Sequence, residues 1–387
     1  MYNRIFLIVM DSVGIGKCID QELFNDLGSN TLKSCSESKY FNINTLRKLG
    51  IFNIDDIDFE TPYPDTIGSY GKCMEKSMGK DTITGHLEMM GIIKEKPFPT
   101  YPNGFPKEII DEFELKTGRK VIVNKPYSGT EVIKDYGKEH LDSGNLIVYT
   151  SADSVFQIAA HKDIISVDEL YNYSKIARDI LKGSHAVGRV IARPFEGEYP
   201  FIRSEERRDF ALKPDKNCLD YLYENNLDVI KVGRIVDMFQ GFGIDIKSNT
   251  NEECMIKTSE LLNKDFKGLA FINFEDFDML YGHRNNVDGY AKALSSFDSW
   301  LETFIDGMRD DDLLIITADH GNDPKTPSTD HSRECTPLLV YNKSTKSNNL
   351  GIRDTYSDIG KSILDNFNID NTLNGNSFIG ELKWKNI

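Results

Sequence analysis

Short apolar runs recur along the chain, each followed by a turn signal: 5–10 (IFLIVM), 146–149 (LIVY), 228–232 (DVIKV), 268–274 (GLAFINF), 313–317 (LLIIT) and 337–341 (PLLVY). They have the length of strands and do not alternate strictly, which predicts strands buried on both faces. Helical patterns lie between several of them, as over 251–263 and 289–308. Strand–helix alternation predicts an α/β fold with a largely parallel sheet. The stretch 97–213 has a different character. It opens with the proline-rich KPFPTYPNGFP, carries GRVIARPF and the basic run RSEERRDF, and closes at ALKPDKN. We read it as a domain inserted into a discontinuous core made of 1–96 and 214–387. The tail, 344–387, is polar and rich in Asn, and no chemistry is assigned to it.

A length of 387 residues suits two domains, or one large core with an insertion. With 39% hydrophobic and 28% charged residues the chain can build a sizeable core. Its net charge of −15, from 46 basic and 61 acidic residues, argues against broad binding to nucleic acid or to anionic membranes. An anionic substrate would then need local basic residues or bound cations. The six cysteines form no CxxC pair and read as reduced, buried thiols of a cytoplasmic protein. Before Asp11 stand one Arg and six apolar residues, too short a run for a signal peptide. No run approaches the ~18 apolar residues of a membrane helix.

Acidic residues sit just past the carboxyl ends of four predicted strands: Asp11, Asp153, Asp278 and Asp319. In open α/β sheets the ligand crevice lies outside those ends, so the four could converge on one site. Each alone could equally be a turn former or a helix cap. In DFDMLYGH, Asp278 and His283 stand five apart with a Gly before the His; in TADHG, Asp319 and His320 are adjacent; His331 lies eleven residues further on. Oxygen and imidazole donors without thiolates suit Mn²⁺ or Zn²⁺. In GKDTITGHLE, Gly79 and Gly85 bracket Thr82. A loop-to-helix junction there would expose its hydroxyl and aim backbone N–H groups at an anion. Alternatively Asp81, Thr82 or Thr84 merely caps the adjoining helix.

Taken together, DSVGIG at 11–16, GKDTITGH at 79–86, TSADS at 150–154, GRVIARPF at 188–195, DFDMLYGHRN at 276–285 and TADHGNDP at 317–324 resemble the phosphopentomutase family of the alkaline phosphatase superfamily. The resemblance spans nearly the whole chain. It implies an α/β, alkaline-phosphatase-like core with a mainly parallel mixed sheet flanked by helices, plus an inserted α+β cap domain that is mobile. It implies an isomerase, an intramolecular phosphotransferase, that interconverts ribose 1-phosphate and ribose 5-phosphate and their 2-deoxy equivalents. Two Mn²⁺ ions are implied, with Zn²⁺ or Co²⁺ as substitutes: Asp278, His283 and His331 match the ligands of one, and Asp11, Asp319 and His320 those of the other. Thr82 matches the nucleophile, phosphorylated in the active enzyme by a sugar bisphosphate activator. Asp153, Arg193 and Arg208 match cap residues that hold the sugar phosphate. Two positions depart from the family pattern. Leu87 stands where a Trp is expected, which bears on packing. Arg234 stands where a Lys is expected and keeps the charge but not the geometry of the contact.

The mechanism implied by the resemblance is transfer from phosphorylated Thr82 to the pentose phosphate, reorientation of a bisphosphate, and return of the other phosphate, with water excluded by a closing cap. The implied partners are small pentose phosphates, not nucleic acid or membrane, acting on a monomer or weak oligomer. Rival readings are a cofactor-independent phosphoglycerate mutase, a plain phosphatase or sulfatase, and a non-catalytic metal-binding protein. The GRVIARPF segment, Thr in place of Ser, and the intact set of six candidate ligands weigh against them.

Overall fold

Every residue of RIFLIVM is buried, and the run forms an inner strand, β1 (Arg4–Met10). The computed structural model describes residues 1–151 and 153–385. After β1 the strands are β2 (Ser69–Cys73), β3 (Val121–Pro126), β4 (Leu146–Thr150), β5 (Val155–His161), β6 (Arg189–Glu196), β7 (Ile202–Arg203) and β8 (Arg208–Ala211). Next come β9 (Asp228–Val232), β10 (Ile244–Ile246), β11 (Gly268–Phe274), β12 (Asp312–Thr317), β13 (Thr336–Tyr341), β14 (Thr345–Lys346), β15 (Asn349–Arg353) and β16 (Lys383–Trp384). The chain divides into two units. One comprises 1–96, 214–236 and 241–387; the other comprises 97–213 and 237–240.

The larger unit holds an eight-stranded sheet in the order β10-β9-β11-β1-β12-β13-β2-β15. β10, β9, β11, β1 and β12 run parallel, and β13 is antiparallel to both its neighbours. Register is pinned at the strand starts. Arg4 faces Asp312 across β1 and β12, and their side chains form a fully buried ion pair of 2.6 Å. The Arg4 guanidinium also donates to the carbonyls of Leu261, Leu262 and Lys264, so each of its nitrogens has a partner. At the other end Met10 is level with Phe274, and Val9 with Thr317. Asp11, Glu275 and Asp319 therefore lie level with one another past the strand ends. The Val287–Gly307 helix covers one face with Leu294, Phe297, Leu301 and Phe304, spaced three and four apart as a helix requires. Phe297 meets Phe274 edge-on at 5.0 Å. The tail, assigned no role from its polarity, supplies edge strand β15 and the Ser357–Asn366 helix, which buries Ile359, Ile363 and Leu364.

The smaller unit has a mixed sheet, β3-β4-β5-β6-β7, with β8 also pairing with β6. One face packs Val190, Ala192 and Phe210 with the Lys107–Thr117 and Val167–Ile180 helices. The other packs Phe195 and Tyr149 with Val132 and Ile133 of the Gly129–Ser143 helix. No helix of the described residues is long and apolar enough to cross a membrane.

Candidate metal and phosphoryl-transfer centre

Three of the four strand-end acids meet at the carboxyl ends of β1, β11 and β12. Asp11 comes directly after β1, and the chain turns at once through Ser12, whose φ of 68° is unusual for a residue with a side chain. That turn is held by the Ser12 N–H donating to Asp319 Oδ1 at 3.0 Å and by a 2.7 Å bond between Ser12 Oγ and Tyr290 Oη. Past β11 the chain forms a π-helical turn, Phe277–Tyr281, then a short 3-10 turn, Gly282–Arg284. A π turn closes every fifth residue rather than every fourth. The five-residue spacing of Asp278 and His283 therefore becomes a side-by-side placement, with His283 Nε2 3.1 Å from Asp278 Oδ2. Gly282 lets this turn lie against Asn322, whose side chain a Cβ there would meet at 2.7 Å.

Donor atoms of Asp278, His283 and His331 lie within 4.8 Å of one another, as do those of Asp11, Asp278 and His320. The geometry draws Asp278 into both groups, where the family resemblance implied it in one. Asp319 stands beside the second group, its Oδ2 3.3 Å from His320 Nε2. Backbone carbonyls fix the imidazoles. His283 Nδ1 donates to Thr329 O at 2.6 Å and His320 Nδ1 to Gly321 O at 3.0 Å. The Nε2 atoms are thereby left facing the acids. The Nε2 atoms of His283 and His331 face each other at 3.1 Å. Asp11 Oδ1 and Asp319 Oδ2 are buried without a hydrogen-bond partner among the described residues. Buried carboxylate oxygens left open beside converging imidazole nitrogens fit a divalent cation.

Two residues outside the predicted set hold the acids. Asn273 Nδ2 donates to Asp11 Oδ2 and Asn322 Nδ2 to Asp278 Oδ1, each at 2.8 Å. Asn273 was legible as the lone polar residue in GLAFINF; Asn322 lies in TADHGND without a signal of its own.

Burial and neighbouring charges shift the two carboxyls in opposite directions. Burial, reinforced by the charges of Asp319 and Asp278, pushes the Asp11 carboxyl well above its usual range. Burial acts the same way on Asp278, but the charge of His331 and the bonds from His283 and His331 outweigh it and hold that carboxyl well below its usual range. An acid with a raised pKa keeps its proton to higher pH, and a cation selects the ionised form. We therefore expect Mn²⁺ binding to metal-free protein to release protons and to tighten as pH rises. Calorimetry in buffers of different ionisation enthalpy measures this; an affinity indifferent to pH would contradict it.

Thr82 opens the Thr82–Met89 helix, and Asp81 is its cap: Asp81 Oδ1 accepts from the N–H groups of Ile83 and Thr84, and Oδ2 from the Thr84 hydroxyl at 2.5 Å. Capping thus occupies Asp81 and Thr84 and leaves the Thr82 hydroxyl to its other neighbour, His320 Nε2, at 3.1 Å. Gly85 allows the helix to approach Asp319 this closely, since a Cβ there would sit 2.3 Å from the Asp319 carbonyl oxygen. Leu87 is buried in the same helix. Arg234 forms an ion pair of 3.3 Å with Glu275 past the end of β11.

The remaining predicted residues belong to the smaller unit. Asp153 lies past β4 of the smaller sheet, so the four strand-end acids do not share one sheet. Its nearest cation is Arg189, at 3.7 Å, which also pairs with Asp209 at 3.4 Å. Arg193 is largely buried, donates to Gln157 Oε1 at 3.2 Å, and is pushed down to about 10 by burial and by Arg207. Arg208 faces Ala192 across β6 and β8, so strand alternation sends it to the opposite face from Arg193. There it lies over the rings of Tyr171 and Phe210, 5.2 and 5.3 Å from their centroids. The structure does not bring Arg193 and Arg208 together. Arg189, Arg193 and Asp209 share one face, and Arg189 carried no signal in the sequence that set it apart from its neighbours.

A mixed, mainly parallel α/β sheet with Asp and His gathered at its strand ends is the alkaline-phosphatase-like metalloenzyme class, and residues 215–371 match the family model described as the Metalloenzyme superfamily. The chain is 55% identical over 385 residues to the phosphopentomutase of Lachnoclostridium phytofermentans, covering 98% of this chain and 99% of that one. It is 53% identical over 390 residues to that of Caldanaerobacter subterraneus subsp. tengcongensis, covering 100% and 99%. The chain belongs to the phosphopentomutase family. It is an isomerase, an intramolecular phosphotransferase, that interconverts pentose phosphates. Among solved structures the PH0037 protein of Pyrococcus horikoshii shares the fold, with a TM-score of 0.50 at 14% identity over 97% of this chain and 100% of that one.

Proposed function

We propose that the interconversion runs through phosphorylated Thr82 and a pentose 1,5-bisphosphate, with ribose 1-phosphate and its 2-deoxy equivalent as substrates. The observation that carries this is the Thr82 hydroxyl, excused from capping and 3.1 Å from His320 Nε2. In the first half the sugar O5 hydroxyl attacks the phosphorus held on Thr82. The P–Oγ bond breaks, a P–O5 bond forms, and the sugar's proton ends on Thr82 Oγ1. In the second half Thr82 Oγ1 attacks the phosphorus on O1, and its proton ends on O1. Ribose 5-phosphate leaves and phosphothreonine is restored. A sugar bisphosphate would phosphorylate Thr82 at the start.

Two divalent cations, Mn²⁺ with Zn²⁺ or Co²⁺ as substitutes, fit Asp278, His283 and His331 and, beside them, Asp11, Asp319 and His320. When bound they supply charge neutralisation on phosphate oxygens and a lower pKa for the threonine hydroxyl. The residues around them keep the imidazoles in one tautomer and the carboxylates in one orientation. For the sugar phosphate we assign Asp153 and Arg193, with Arg189 as the guanidinium beside Asp153. Arg234 is an anchor on the core. Arg208 lies over Tyr171 on the other face of the same sheet. The test is peptide mass spectrometry of enzyme treated with a sugar bisphosphate. One phosphate on the peptide containing Thr82 supports the reading; a phosphate on Thr84 moves the nucleophile, and none at all removes the phosphoenzyme.

A further inference from the structure

His86 is fully buried in the first turns of the helix that Thr82 opens. Its Nδ1 donates to the Thr82 carbonyl at 2.7 Å and stands 3.3 Å from Asp319 Oδ2. Its Nε2 has no hydrogen-bond partner among the described residues, and Phe271 lies against the ring, with centroids 5.7 Å apart. An unpaired buried nitrogen is destabilising, and an apolar side chain in the same space would avoid that cost. The ring's polar edge is turned to the two groups that the transfer needs fixed relative to each other. Gly85, next to it, admits the helix to within contact of the Asp319 backbone, and His86 fills the contact with a donor.

We infer that His86 is a positioning residue: its Nδ1, bonded to the Thr82 carbonyl and 3.3 Å from Asp319 Oδ2, seats the ring between the turn bearing Thr82 and the Asp319 carboxylate, and so sets the distance between the nucleophile and the second cation site. The inference rests on reading Thr82 as the nucleophile and Asp319 as a ligand. His86 touches no reacting atom. Its effect is to hold the Thr82 backbone and to keep Asp319 Oδ2 turned toward His320 Nε2, 3.3 Å away. Misplacement of a reacting group by about 1 Å can lower a rate about 100-fold, and loss of a partner that orients a ligand weakens metal binding by about 10–100-fold.

The experiment uses the full chain and the pair H86N and H86Q. The asparagine amide nitrogen can occupy the place of Nδ1; the glutamine amide nitrogen reaches toward the place of Nε2. For H86Q we expect kcat to fall about 10–100-fold with KM for ribose 1-phosphate within about twofold, and the second Mn²⁺ site to lose about 10–100-fold in affinity by calorimetry on chelated protein. H86N should recover most of both losses. Equal losses in H86N and H86Q with unaltered Mn²⁺ binding would make His86 a packing residue and overturn the inference. Should H86Q not fold, H86N decides. Folded H86N close to the parent in kcat and Mn²⁺ affinity upholds it, and folded H86N that has lost both overturns it. Phosphate on the Thr82 peptide and the Mn²⁺ stoichiometry of the parent enzyme test the underlying reading separately, so the two can fail independently.

Discussion

Thr82→Ala is expected to lower the rate of ribose 1-phosphate isomerisation about 10⁵- to 10⁶-fold, the loss typical of removing a covalent nucleophile whose partners act only through it. The structure makes this a clean substitution. Asp81 and Thr84 carry the cap hydrogen bonds of the helix, and the Thr82 hydroxyl carries none of them. Thermal stability should therefore stay within the roughly 0.5 kcal/mol range of substitutions that break no buried contact. Mn²⁺ binding should persist, since no predicted ligand is touched. A coupled assay of ribose 5-phosphate formation, thermal melting and metal analysis of the same preparation measure all three. An alanine variant within tenfold of the parent rate would show that the phosphoryl group rests elsewhere.

The second large effect is expected at Asp278. Its donor atoms fall in both clusters, so Asp278→Asn should strip both cations, whereas His283→Gln should weaken chiefly the cluster it shares with Asp278 and His331. The physical reason is charge. Three imidazoles surround Asp278, and its carboxyl stays ionised well below the usual range despite burial, first because His331 opposes the desolvation. Asparagine keeps the shape and the bond from Asn322 Nδ2 at the oxygen but removes the charge that draws cations inward. Losing a single neutral transition-state donor costs about 10²–10³ in rate, and a shared metal ligand should exceed that. Metal content per chain, measured beside the rate, separates the two variants. Asp278→Asn enzyme that retains both cations would refute the shared placement.

The local pattern was enough for much of the core. Continuous apolar runs are legible because strands buried on both faces need apolar residues at every position, and all six anticipated runs lie in strands. The helical stretches over 251–263 and 289–308 were legible through their period. The polar residues that must stand at strand ends could be read as well, because a short loop after a strand leaves its first residues little choice of place. What failed were elements with no apolar excess. β2 (SYGKC) and β15 (NLGIR) extend the large sheet at one side, yet their sequences resemble loops, and only pairing with β13 and with each other makes them strands.

The sequence by itself determined the α/β core and the identities of the Asp, His and Thr residues now gathered at the strand ends, since those are set by period, strand length and residue chemistry. Tertiary structure decided which of them meet. Strand register, set by the buried Arg4–Asp312 pair, levels Asp11 with the ends of β11 and β12; the π-helical turn brings His283 beside Asp278; and strand alternation parts Arg208 from Arg193. None of these is a property of the residues concerned. Each depends on hydrogen bonds to distant strands, or on an extra residue in a helical turn, and a linear pattern carries no measure of either.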